Sequence, residues 1–271
     1  EIRNEVNVGR LNGKEIYFTV EDLNALELYG NNLFASSILE LNLDAKNRME
    51  SSEHTPQDKW SQRGVFEALL PMARSQRLPL PVKDDSNFIT PPGVVVSLQP
   101  DMIDTTKIES LLIIENGTLM THWNELIPLL PKEYQCSLIV YRGHGQNQNM
   151  LVDLIGRLSD DIPVGVFYDF DGAGYDMALN LAEIRTITIL HPDKWYEIHK
   201  LTNEALKKLN KQDSFLDQTE QLMKRINATS TPKPIMDMLV YLRAHRLAIT
   251  QEHLIKHQFL ISKTDNIRII K

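Results

Sequence analysis

Between residues 108 and 190 short apolar runs alternate with segments of helical periodicity, and this alternation restricts the fold more than any other feature of the chain. Leu111-Leu-Ile-Ile114 reads as a buried strand, followed by a helix from about Thr118 to Leu126. Ser137-Leu-Ile-Val-Tyr141 reads as a second strand, with a helix from about Gln148 to Leu158. Val164-Gly-Val-Phe-Tyr168 is a third, with a helix from about Ala173 to Leu181, and Thr186-Ile-Thr-Ile-Leu190 is a fourth. Continuous apolar runs of this length suit strands covered on both faces. The rhythm implies an α/β fold, a mainly parallel sheet with flanking helices. Right-handed crossovers then bring the strand C-termini to one edge, where such folds build their sites.

The flanking regions divide the chain into three expected segments: 1–100, 101–192 and 193–271. The first reads as mixed α+β. Lys14–Val20 is a strand after an Asn12-Gly13 turn, and Thr19 or Glu21 opens a helix that Gly30 ends. Residues 42–62 are polar and read as an exposed loop. Gly64–Arg77 carries Val65, Leu69, Met72 and Ala73 at helical spacing, and Pro79, Pro81, Pro91 and Pro92 mark a linker. The third segment reads as helical over Tyr196–Leu209, Phe215–Ile226, Ile235–His245 and Gln251–Phe259.

Composition narrows the class. A 42% hydrophobic and 24% charged chain of 271 residues can bury a sizeable core and is not generally disordered. No apolar run approaches the roughly 18–20 residues that cross a bilayer. The single Cys136 leaves no internal disulfide framework and no cysteine-based zinc site, so a reducing, cytoplasmic setting is expected. The chain begins at Glu1 rather than Met, from which a processed or truncated start and a missing upstream domain are expected. Net charge is -7, but residues 191–271 hold 14 Lys+Arg against 9 Asp+Glu, or +5, leaving -12 on the rest. A mildly basic tail beside an acidic body can grip phosphates weakly, so efficient action on nucleic acid is expected to need a partner or dimerisation.

The strand ends carry the chemistry. Glu115-Asn116-Gly117 follows the first strand, Gly143-His144-Gly145 the second, and Asp169-Phe-Asp171-Gly-Ala-Gly174 the third. Taken singly, each has a blander explanation: an Asp-x-Asp after a strand is usually a turn or helix cap, and Gly-His-Gly a flexible turn. Together, at one sheet edge, Glu115, Asp169 and Asp171 form an all-oxygen donor set suited to Mg²⁺ or Mn²⁺. A cation would relieve their mutual repulsion and act as a Lewis acid on a phosphodiester. Gly143, His144 and Gly145 would let a nucleic-acid backbone approach. Asp176, one helical turn after Asp171, and Glu252 in the tail are candidates for a supporting shell. His253 and His257 lack a third ligand and are not read as a metal site.

This arrangement resembles the Toprim domain, where a Glu follows the first strand and an Asp-x-Asp a later one. Leu111-Leu-Ile-Ile-Glu-Asn-Gly117, Tyr141-Arg-Gly-His-Gly145 and Val166-Phe-Tyr-Asp-Phe-Asp-Gly-Ala-Gly174 are similar to the branch that contains the topoisomerase VI A subunit. Within it they are most similar to the Toprim nuclease subunits of Wadjet (MksBEFG) plasmid-defence systems. The resemblance covers residues 108–190 and extends weakly to Ala248-Ile-Thr-Gln-Glu252. It implies a Mg²⁺- or Mn²⁺-dependent endonuclease acting on double-stranded DNA, serving a condensin-like SMC complex, with Glu115, Asp169 and Asp171 as metal-binding catalytic acids. It also implies a winged-helix-like part within residues 1–100. A homodimer stays open and no membrane role is implied.

Two alternatives remain. One is a topoisomerase-like transesterase, which needs a nucleophilic tyrosine. Tyr17 and Tyr29 are the only tyrosines before residue 134, and packing is the expected role of both. The other is a DNA-binding or scaffold subunit without turnover.

Overall fold

The computed structural model describes residues 5–33, 69–74, 78–84, 87–143, 146–201, 203–209, 216–226 and 231–269. The chain divides into two compact units, Glu1–Ala68 and Leu69–Lys271.

In the first unit, β1 (Arg10–Asn12) and β2 (Glu15–Tyr17) form an antiparallel hairpin. Its turn holds Gly13 at φ 65°, a left-handed conformation that suits the Asn-Gly pair. The strand stops at Tyr17, short of Val20, because Thr19 starts a helix. Thr19 Oγ1 accepts from the Asp22 N–H at 3.2 Å, and Asp22 Oδ2 accepts from the Thr19 N–H at 2.8 Å. This reciprocal cap opens α1 (Val20–Leu33), which runs past Gly30, the residue expected to end it. The expected loop at 42–62 and the start of the expected helix at 64–68 lie outside the described residues.

The second unit is built on one seven-stranded sheet, in the order β4-β3-β6-β5-β7-β8-β9. Its strands are β3 (Leu70–Arg74), β4 (Val96–Leu98), β5 (Leu111–Ile114), β6 (Leu138–Tyr141), β7 (Val164–Phe167), β8 (Thr188–Pro192) and β9 (Ile261–Lys263). The four expected strands are its parallel centre: β5 pairs with β6 and β7, and β7 with β8. Every residue of β5 is 0% exposed, as its unbroken Leu-Leu-Ile-Ile run implies. The outer pairings, β3 with β4 and β6 and β8 with β9, are antiparallel, so the whole sheet is mixed rather than mainly parallel.

Two expectations about the approach to this sheet are corrected. Leu70–Arg74 is a strand, not part of a helix through Arg77. Pro71 lacks the N–H a helix interior requires, while Met72 and Ala73 sit buried opposite Val140 and Ile139 of β6. The proline-rich stretch is not a linker either. Leu80 and Val82 are buried, Pro79 bridges to Ile89, and Val82 to Ile103. Thr90 Oγ1 accepts from the Arg74 N–H at 2.9 Å and donates to the Arg74 carbonyl at 3.0 Å, fastening the stretch to β3.

Between the central strands lie α2 (Gly117–Thr121), α3 (Trp123–Leu126), α4 (Gln146–Arg157) and α5 (Gly172–Ile184). The first expected helix is thus broken in two at His122. Arg185, buried just past α5, donates to the carbonyls of Ile155, Leu158 and Ile162 at 3.1, 2.9 and 3.1 Å. It thereby ties the last turn of α4, through Ile155, to the segment that follows the helix, through Leu158 and Ile162. The tail comprises α6 (Asn203–Leu209), α7 (Leu216–Arg225), α8 (Lys233–His245) and α9 (Gln251–Lys256), with a 3₁₀ turn at Trp195–Lys200. It then returns to the sheet as β9, which had not been expected. The unit therefore spans the boundaries expected at residues 100 and 192, taking strands from all three sequence segments. No helix among the described residues is long and apolar enough to cross a membrane.

Candidate functional site

The chain leaves β5 to build β6 on one side, then crosses back to build β7 on the other. Strand order therefore reverses at β5, and the crevice beyond the C-terminal ends of β5 and β7 is the topological switch point of the sheet. The register of these strands ends at Ile114 opposite Phe167. Glu115 is the next residue on one strand, and Asp169 follows one residue later on the other. The Asp169 N–H donates to Glu115 Oε2 at 3.1 Å, so side chain and loop meet across the crevice.

Asp171 is 1% exposed and takes the N-cap position of α5, its Oδ1 accepting from the Gly174 N–H at 2.9 Å. The glycines around it serve close approach rather than an unusual turn. A Cβ on Gly174 would lie 2.1 Å from the Asp169 carbonyl oxygen, and one on Gly172 would lie 2.4 Å from the Thr219 backbone.

The acids share one electrostatic environment. Burial pushes the Glu115 carboxyl above its ordinary value, and the charge of Asp169 pushes it further. The Asp169 N–H opposes that rise, the charge of Asp171 adds to it, and Arg142 opposes it. Arg142 follows β6, its N–H donating to the Ile114 carbonyl at 2.8 Å. It had not been singled out from sequence, although its place between a strand end and Gly143 was a usable signal. Gly143 is buried at φ 76°, a left-handed conformation that favours glycine. His144 and Gly145 lie outside the described residues.

The tail reaches this crevice. Phe170 and Ile249 exchange backbone hydrogen bonds at 2.8 and 3.1 Å, laying Ile249 alongside the Asp169–Asp171 loop. The Gln251 N–H donates to Asp169 Oδ1 at 2.9 Å. Its side chain, 0% exposed, accepts from the Asn116 N–H at 3.0 Å and donates to the Phe167 carbonyl. Glu252 Oε1 accepts from the Asn116 side-chain amide, while Asn116 Oδ1 caps α2 through the Thr118 N–H at 2.9 Å. Asp176 is engaged elsewhere, paired with Arg225 in a cleft between α5 and α7. His253 Nδ1 meets Thr250 Oγ1 at 2.8 Å, and His257 is exposed.

Among the described residues, no group of three or more His, Cys, Asp or Glu side chains is already placed as a metal cage. Each acid has an oxygen committed to the protein: Glu115 to the Asp169 N–H, Asp169 to the Gln251 N–H, and Asp171 to the Gly174 N–H. Three buried polar atoms at the crevice nevertheless have no hydrogen-bond partner among the described residues: Arg142 Nε, Tyr168 Oη and Glu252 Oε2. The fields of Arg142 and Glu115 both reach Tyr168, whose hydroxyl burial holds well above its ordinary pKa. A bound water, an ion or a catalytic role would each account for buried groups left in this state.

Fold and site together define an α/β protein with an acidic crevice at the switch point of its sheet. Residues 68–263 match the family model described as a domain of unknown function, DUF7281, and the chain belongs to that family. No curated protein matches the chain.

Proposed function

We propose that residues 69–271 form a Toprim-like nuclease that cleaves double-stranded DNA with Mg²⁺ or Mn²⁺, as the cutting subunit of a condensin-like plasmid-restriction complex. The observation that carries this proposal is the meeting of Glu115 with the Asp169–Asp171 loop at the switch point, where the charges of both aspartates act on Glu115. An all-carboxylate donor set of this kind fits a hard divalent cation, and the unpartnered polar atoms of Arg142, Tyr168 and Glu252 fit a polar, hydrated occupant. Glu115, Asp169 and Asp171 would hold the cation, whose contribution when bound is Lewis-acid polarisation of a phosphodiester. Arg142 would stabilise negative charge on a bound phosphate and Gly143 would let a backbone close in.

A second reading, a DNA-binding or scaffold subunit without turnover, draws support from the structural hydrogen bond that each acid makes. One experiment separates the two. Supercoiled plasmid is incubated with the protein in Mg²⁺, Mn²⁺ or EDTA, with and without SMC partner proteins, alongside Asp169→Asn. Metal-dependent nicking that Asp169→Asn abolishes supports the nuclease. Equal nicking by the variant, or none under any condition, sinks it.

A further inference from the structure

Parallel strands diverge once their ladder ends. Beyond Ile114 and Phe167, nothing in the sheet itself sets the separation of the next residues of β5 and β7, and those residues carry the acids. Glu115 reaches the Asp169 N–H across the gap, and a second side chain, from outside both strands, spans it too. Gln251 accepts from the Asn116 N–H on the β5 side at 3.0 Å and donates to the Phe167 carbonyl on the β7 side. Its backbone N–H donates to Asp169 Oδ1 at 2.9 Å, so the same residue also fixes how that carboxylate is turned. A side-chain amide donates from its nitrogen while it accepts on its oxygen, and glutamine is the longer of the two residues that carry one. At 0% exposure it has no water to compete for these bonds. Its own position is over-determined. The backbone pairing of Ile249 with Phe170 fixes one side, and the cap of α9 by Thr250, whose Oγ1 accepts from the His253 N–H at 3.3 Å, fixes the other.

We infer that Gln251 is a positioning residue: it clamps the open ends of β5 and β7 so that Glu115 and Asp169 meet at the separation their shared chemistry requires. The strap Ile249–Glu252 is then part of the site rather than of an accessory tail. Without the clamp, the Glu115–Asp169 hydrogen bond is lost before the sheet is. The metal part of the test rests on the nuclease reading; the hydrogen-exchange part does not.

The experiment compares wild type with Gln251→Ala and with Gln251→Met, which keeps the length and volume but makes no hydrogen bond. Leu239→Ala, a buried change in α8 outside this hydrogen-bond set, serves as the control for lost stability. Mn²⁺ affinity is measured by electron paramagnetic resonance, and exchange of the Asp169 amide by NMR, both well below the melting temperatures. The clamp requires Mn²⁺ affinity to fall by about tenfold or more in the Gln251 variants, with Leu239→Ala close to wild type. It also requires the Asp169 amide to exchange about tenfold or more faster, beyond any change shared with the core amides. If Gln251→Ala fails to fold, Gln251→Met carries both measurements. Gln251 variants that melt lower yet keep wild-type Mn²⁺ affinity and Asp169 exchange overturn the inference and leave Gln251 a packing residue. If wild type itself binds no Mn²⁺, the nuclease reading fails, and the Asp169 exchange alone decides the role of Gln251.

Discussion

A Cβ on Gly174 would stand 2.1 Å from the carbonyl oxygen of Asp169, so the first turn of α5 and the strand end that feeds it touch backbone to backbone. No rotamer change relieves such a contact, because both partners are main chain. Gly174→Ala is therefore expected to force the Asp169–Asp171 loop outward and cost about 1–3 kcal/mol. Gly156 supplies the contrast. It lies exposed in α4 with open space where its Cβ would stand, and Gly156→Ala is expected to stabilise by about 0.5–1 kcal/mol. Thermal melts of the two variants beside wild type check both signs. Equal, small effects would show that the close approach at Gly174 is not a constraint.

Asp171 has two duties that substitution can separate. Its carboxylate caps α5 through the Gly174 N–H, and its charge raises the proton affinity of Glu115. Asn caps helices as well as Asp does and carries no charge, whereas Ala does neither. Asp171→Asn is expected to melt at or above wild type in EDTA, and Asp171→Ala about 1 kcal/mol below Asp171→Asn. Both should lose metal-dependent nicking if the nuclease proposal holds. A helix cap is the blander reading that the sequence offers for this acid, and the cap it makes sets a cost against the relief of repulsion.

That dual role illustrates which parts of the chain were legible. The centre of the sheet was readable because Leu111–Ile114 and its neighbours are unbroken apolar runs, each followed by a helical period. Convergence of Glu115 with Asp169 followed, since parallel strands end at one edge. β3 was misread because Val65, Leu69, Met72 and Ala73 mimic helical spacing, and the counter-signal, Pro71, is a single residue. β9 was missed because a three-residue strand with one buried position carries almost no periodicity. Gln251 was visible as a residue but not as a clamp. Its partners lie 135 and 84 positions away, and no local pattern encodes which amide fills a crevice.

Under the nuclease proposal, Tyr17 and Tyr29 bear on the choice between hydrolysis and transesterification. Packing was the role expected for both, but Tyr17 is 56% exposed in the hairpin and its hydroxyl donates to Glu15 at 3.0 Å. Tyr29 donates to Glu5, and the carboxylate beside it holds its hydroxyl pKa above the ordinary value. A phenol so placed is harder to ionise, which opposes its use as a nucleophile. Cleaved DNA is accordingly expected to carry no attached protein. Labelled duplex run on denaturing gels with and without protease shows this directly. A protease-sensitive DNA species that disappears in Tyr17→Phe or Tyr29→Phe would favour the transesterase instead.

The raised Glu115 carboxyl gives a signature that needs no substrate. Its ordinary value is 4.5, and in the folded chain burial and the Asp169 charge lift it. A proton thus binds the folded state more tightly than the unfolded one. The associated stability is fully present below the unfolded value and is lost as pH rises through the folded value. At neutral pH the ionised Glu115 is a net cost, and Glu115→Gln removes it while keeping an oxygen to accept from the Asp169 N–H. The melting temperature of Glu115→Gln relative to wild type should therefore rise between pH 4 and pH 7 in EDTA. Under the nuclease proposal, saturating Mg²⁺ or Mn²⁺ should narrow or reverse that advantage at pH 7, because the cation binds and stabilises only the wild-type acid set. Melts on a pH series with and without metal read both effects. A difference between the two proteins that stays flat with pH would show that Glu115 titrates as an ordinary surface carboxylate. A pH-dependent difference that metal leaves untouched would keep the electrostatics and remove the cation from the proposal.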